Sequence, residues 1–237
     1  MKPAFFDSDM KMADMLQDNY HFLQMLDRFE IKFGFGDQTI EEVCNEYHIH
    51  IPFFLLIANV FHFNEYEPKA SDIESCPPNE LLKYLQKSHK YYLSYRFPDL
   101  EQRLKGMMSS WDQVTAKIVE TFFSEYKKEV QIHLAYEDEV VFPYIRKLMS
   151  NDTAPGYSIF EFEKKHDDIE SKVKDLKNIL IKYIPEKNDV IQRNEILFHL
   201  YLLEEDLNKH LLMENKVLIP VVLKMEGMHK PDTRHKL

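Results

Sequence analysis

Four histidines and two glutamates recur in this chain at a fixed spacing. His89, His133 and Glu137 return 77 residues later as His166, His210 and Glu214, and Pro143 returns as Pro220. The stretch HLAYEDEVVFP, from His133, matches HLLMENKVLIP, from His210, in residue type and in spacing. Leu82/Ile159, Leu85/Phe162, Val114/Ile191, Val130/Leu207, Val140/Val217 and Lys147/Lys224 extend the match. Two helical hairpins therefore read as copies of one unit.

A His and a Glu four residues apart share one helix face, about 6 Å apart along the axis. An imidazole nitrogen and a carboxylate so placed can bind one metal centre. Four imidazoles and two carboxylates with no thiolate suit iron or manganese rather than structural zinc. Six ligands exceed the needs of one catalytic zinc and fit two irons bridged by Glu137 and Glu214. His89 and His133 are assigned to one ion and His166 and His210 to the other, although sequence leaves the pairing of histidines open. Each ion keeps positions for a bridging oxo or hydroxo group and a small exogenous ligand. A ferritin-type site needs two ExxH motifs, and only Glu163-x-x-His166 fits that pattern.

The faces that carry these six groups are otherwise apolar. Val114, Ile118, Phe122, Val140 and Tyr144 accompany His133, and Ile196, Leu203, Val217 and Val221 accompany His210. Leu82, Leu85 and Leu93 line up with His89, and Ile159, Phe162, Ile169 and Val173 with His166. All six are expected to face the core. Burying two carboxylates costs several kcal/mol each unless they are paired or metal-bound, and no Arg or Lys is read on those faces. His199, whose repeat partner is Phe122, reads as an ordinary core histidine. Glu129 and Asp206 form another pair at the same offset, one turn before each ligand histidine. They read either as solvated acids or as groups that support the ligands and ion access.

Long amphipathic helices must position these groups. Segments 79–96, 111–142, 158–183 and 189–219 show helical periodicity, and Ser158 with Glu161 forms a capping-box signature. Short connections between them predict an all-α, antiparallel four-helix bundle over residues 80–225. Residues 97–109 make a short extra helix or a bend. A small helical domain over residues 1–66 precedes the bundle, with helices at 13–29 and from about Asp37 or Thr39. The stretch EPKASDIESCPP (67–78) reads as part of a linker spanning 67–79, and 226–237 as a tail.

Composition narrows the function classes. Only five glycines among 237 residues leave few tight turns for a sandwich or barrel. A net charge of −10 argues against a nucleic-acid partner. Cys44 and Cys76 form no CxxC pair, which fits a reducing cytoplasm. The longest apolar run, 51–63, falls short of the about 20 residues that span a bilayer, so no membrane association is expected.

The His…His-x3-Glu…His…His-x3-Glu pattern over residues 80–225 resembles the hemerythrin-like (HHE cation-binding) domain, and within it the repair-of-iron-centres proteins, the ScdA/YtfE group. The resemblance implies a hemerythrin-like bundle whose two irons, or manganese in their place, are held by His89, His133, Glu137, His166, His210 and Glu214, with the glutamates bridging. Oxygen-carrying hemerythrins use five histidines with an HxxxH pair that this chain lacks. IKFGFGDQTIEEVC, from Ile31, is similar to the ScdA-type N-terminal domain, but Gly34 and Phe35 stand where that family usually has two cysteines. The resemblance implies a cytoplasmic role in nitrosative or oxidative stress, with NO or O2 as small ligand and apo iron–sulfur proteins as clients, and it leaves room for a homodimer. A sensor of NO or O2, or an oxidoreductase that reduces NO or peroxide, are the competing readings.

Overall fold

The computed structural model describes residues 5–150, 156–163, 169–183 and 190–227. Among them every regular element is helical, and the one β-type contact is an isolated bridge between Lys11 and Thr39. The chain divides into two compact units: Met1–Lys87 with Leu148–Thr153 and Lys209–Leu237, and Ser88–Lys147 with Ala154–Asn208.

The first unit opens with α1 (Met12–Asp18) and α2 (Phe22–Arg28), where one helix over 13–29 was expected. Asn19 interrupts it. Its backbone is extended, and its side-chain oxygen accepts from the His21 N–H at 2.9 Å, a local turn that competes with helical continuation. Helix α3 (Ile40–Glu46) starts from a capping box: Thr39 Oγ1 accepts from the Glu42 N–H, and Glu42 returns the bond to the Thr39 N–H. Helix α4 (Ile51–His62) carries the long apolar run, and Phe53, Phe54, Leu56, Ile57, Val60 and Phe61 are all buried. That run is a core helix, and no helix among the described residues is long and apolar enough to cross a membrane. A short helix, α5 (Ala70–Ser75), lies in the Pro- and Ser-containing stretch that showed little periodicity.

The remaining helices among the described residues are α6 (Pro78–Tyr91), α7 (Phe97–Met108), α8 (Gln113–Tyr136), α9 (Phe142–Met149), α10 (Ile159–Glu163), α11 (Ile169–Lys182), α12 (Val190–Met213) and α13 (Ile219–Met225). Within the second unit four helical segments share one core. Tyr92, Phe97, Leu100 and Leu104 come from the first, Val119, Phe123, Tyr126 and Val130 from the second, Val173, Leu176 and Leu180 from the third, and Ile196, Leu200 and Leu203 from the fourth. The protein is all-α, with an antiparallel four-helix bundle. Residues 97–108 form a full helix rather than a bend.

The stripe expected around His133 is misplaced. Val114, Ile118 and Val140 are exposed, and the buried face of α8 runs Val119, Phe123, Tyr126, Val130 and Leu134. Each step of four residues drifts about 40° around a helix at 100° per residue. Stepping by fours from Val114 therefore walks off the core, whereas alternating steps of four and three stay on it.

Among the described residues three π-helical turns interrupt the helices, at Tyr92–Arg96, Glu137–Val141 and Glu214–Leu218. Each is followed by one residue and then a proline: Phe97-Pro98, Phe142-Pro143 and Ile219-Pro220. Proline has no N–H, and its ring clashes with the carbonyl four residues back. Widening the helix relieves the clash. Accordingly Phe97, Phe142 and Ile219 donate to the carbonyls five residues earlier, those of Tyr92, Glu137 and Glu214.

Candidate metal centre

Two of the three wide turns begin at the repeated glutamates. Glu137 and Glu214 are each the first residue of such a turn, directly after the helical turn that carries His133 or His210. Both side chains are fully buried. The π geometry therefore sits at the residues proposed to bind metal, as such insertions often do.

The Glu137 carboxylate lies between two imidazoles. Its Oε2 is 3.0 Å from His89 Nε2, and its Oε1 is 2.7 Å from His133 Nε2. His210 Nε2 is 3.1 Å from Glu214 Oε1. His89, Glu137, His210 and Glu214 are all buried, and each offers a ligand atom within 4.8 Å of the other three. Around an ion with bonds of about 2.0–2.2 Å, neighbouring donors stand about 3 Å apart and opposite ones about 4.2 Å. The pairs at 2.7–3.1 Å have the first of these spacings. The donor set, nitrogen and oxygen without sulfur, suits iron or manganese.

Aromatic rings hold the imidazoles. His89 stacks on buried Phe142, with ring centres 5.4 Å apart and planes 13° apart. His133 stacks on Phe162 at 6.4 Å and 19°. Phe142 belongs to the repeated stretch itself, so one segment supplies both a carboxylate and a ring to the same histidine.

Four of the six expected groups are thus gathered, and His133 joins them through Glu137, itself only half-buried. The sixth, His166, lies outside the described residues, as does most of the tail at 226–237. Asp206 is buried, and its backbone carbonyl accepts from the Tyr92 hydroxyl at 3.1 Å; Glu129 is half-buried. His199 is half-buried rather than a full core residue. Its Nδ1 is 3.1 Å from Arg96, whose guanidinium also donates to the His199 carbonyl. Desolvation first, then the Arg96 and Arg103 charges, press the His199 pKa below its usual value. Buried cations do exist in the second unit, but Arg96 is engaged by His199 and Lys177 by Glu204.

The sequence reading missed Asp138. Its Oδ2 is 3.1 Å from Nδ1 of His89, the ring nitrogen opposite the one facing Glu137. The available signal was its place beside the repeated glutamate in the acidic run Glu137-Asp138-Glu139.

On the N-terminal side, Lys216 in the third wide turn donates to the carbonyls of Asn64 and Tyr66 at 2.8 and 2.7 Å and pairs with Glu67 at 2.9 Å. This ties the turn that carries Glu214 to the chain just after α4. Cys44 and Cys76 are buried, and burial pushes both thiols up to about 12, so neither offers a thiolate at neutral pH. Gly34, at φ +107°, occupies a left-handed conformation that a cysteine would strain.

Comparison with known proteins bears on the long-helix region. The sequence model of the family described as Hemerythrin HHE cation binding domain matches residues 81–222. A comparison with curated proteins finds no match.

Proposed function

Because the chain belongs to the hemerythrin HHE cation-binding family, we propose that it is a non-haem di-iron protein of the repair-of-iron-centres (ScdA/YtfE) type. In this reading it acts in the cytoplasm under nitrosative or oxidative stress, supplying iron to damaged iron–sulfur clusters or reacting with nitric oxide. His89, His133, Glu137, His166, His210 and Glu214 would hold two irons, with manganese as the alternative. The observation that carries the reading is the buried His89–Glu137–His210–Glu214 cluster, with both oxygens of Glu137 turned to imidazoles.

Bound iron would supply redox change and an open coordination position for a diatomic ligand. The protein's own groups do the rest. Glu137 and Glu214 bring negative charge into a buried region, which favours cations over anions. Phe142 and Phe162 fix the ring planes of His89 and His133. An imidazole binds an ion only in its neutral form, so acidification, which protonates it, favours release. Glu129 and Asp206, one turn before the ligand histidines, are proposed to support the ligands and ion passage. The domain limits that accompany this reading are 1–66 for the small domain, 67–79 for the connector and 80–225 for the bundle.

One observation favours a second reading. The N-terminal unit has no reactive thiol among its described residues: its two cysteines are buried with raised pKa values, and Gly34 and Phe35 replace the expected pair. A module that binds NO or O2 and passes a signal needs no such thiols. Loading the chain with ferrous ion and mixing it with an apo iron–sulfur protein separates the readings. Cluster recovery supports repair. Ligand binding without transfer supports the sensor, and multiple turnovers of NO or peroxide would replace both with a reductase.

A further inference from the structure

His89 is held on three sides by a single segment. Glu137 meets its Nε2, Asp138 meets its Nδ1 at 3.1 Å, and Phe142 covers a ring face. A neutral imidazole carries one proton, on one nitrogen only. For Nε2 to offer its lone pair to an ion beside Glu137, the proton must sit on Nδ1 and needs an acceptor there. Asp138 Oδ2, 3.1 Å from Nδ1, is the carboxylate oxygen placed within reach of that proton.

We propose that Asp138 is a positioning residue for the metal site, and that it makes the two ion positions unequal. It acts through His89 and touches no ion itself. A carboxylate behind a metal-bound imidazole fixes the tautomer, orients the ring and raises the basicity of the ligating nitrogen. The duplication does not repeat it. The residue 77 positions on is Asn215, which is exposed and carries no charge. The two hairpin sequences thus repeat the ligand residues and differ at the position after each glutamate. The ion held by His89 is predicted to bind first and leave last. The inference rests on the di-iron reading above.

Anaerobic titration of the full chain with ferrous ion tests it, comparing wild type with Asp138→Asn, Asp138→Glu and Asn215→Asp. Asp138→Asn keeps the shape and removes the charge. It should weaken one of the two ferrous equivalents by about 10- to 100-fold and leave the other unchanged. Asp138→Glu should recover part of the loss, and Asn215→Asp should bring the weaker equivalent closer to the stronger. Loading with zinc provides a readout apart from iron affinity: in wild type the His89 Nδ1 proton should exchange slowly with solvent, and in Asp138→Asn at least about tenfold faster. Two equivalents bound with unchanged affinity in Asp138→Asn, equal weakening of both, or a fast-exchanging wild-type proton would overturn the inference alone. A wild-type chain that takes up no ferrous ion would overturn the functional reading and this inference together.

Discussion

The three wide turns share one backbone device and differ in what it carries. At Glu137–Val141 and Glu214–Leu218 the first residue is a buried carboxylate that faces imidazole. At Tyr92–Arg96 the first residue is a tyrosine whose hydroxyl binds the Asp206 carbonyl, and the last is an arginine that binds His199. The Tyr92–Arg96 turn places polar groups in a core and satisfies them with neutral or cationic protein partners. The two acidic turns instead concentrate histidines and carboxylates in one place. A proline two residues past the turn makes the shape, and the residue that opens the turn decides whether the shape builds a metal site or a structural bond.

The largest expected effect comes from replacing the opening acids. Glu137→Gln or Glu214→Gln should weaken ferrous binding by at least about 100-fold, since each removes an anionic ligand rather than an outer contact. The thermal midpoint of the metal-free chain should hold or rise, because a buried charge is lost with little change in shape. Titration and calorimetry on the same preparations check both halves.

A smaller effect separates backbone from side chain. Pro143→Ala restores the missing N–H and lets the helix tighten, which turns Glu137 away from His89 and His133. Iron affinity should fall about tenfold while thermal stability holds or increases. Pro98→Ala tightens the turn that carries no acid and should leave iron affinity unchanged. Equal losses from the two proline variants would break the distinction between the turns.

The smallest effect concerns the Tyr92–Arg96 turn. Arg96→Ala should cost about 1–3 kcal/mol of stability in urea, the range for a lost buried hydrogen-bond partner, with no change in iron affinity. It should also alter a pH profile. Desolvation and Arg96 press the His199 pKa down, so the folded chain resists a proton that the unfolded chain accepts below about pH 6.5. Stability from this group is present above that pH and falls away as pH drops below it. Without Arg96, part of that acid-side loss should disappear.

The His/Glu repeat and the four helical segments were legible because they rest on residue type and period. The Thr39 cap was legible for the same reason, with Glu42 three residues on. The wide turns were not, although Pro143 and Pro220 stood in the repeat: a proline announces a disturbance, and only its carbonyl clash says which kind. Pro98 gave less warning, since Asp175 occupies its repeat position. Asp138 escaped notice because its role depends on a histidine some fifty positions earlier. The core stripe of α8 slipped because Val114, Ile118 and Phe122 keep a spacing of four that drifts around the helix. The break at Asn19 hides in one side-chain hydrogen bond, where helical periodicity continues on both sides.

The most direct measurement is the metal content of the purified full chain beside that of a His133→Ala, His210→Ala double variant. The account predicts about two irons per chain in wild type, and their loss in a variant that stays helical by circular dichroism. Zinc alone, no metal, or iron retained in full by the double variant would contradict it.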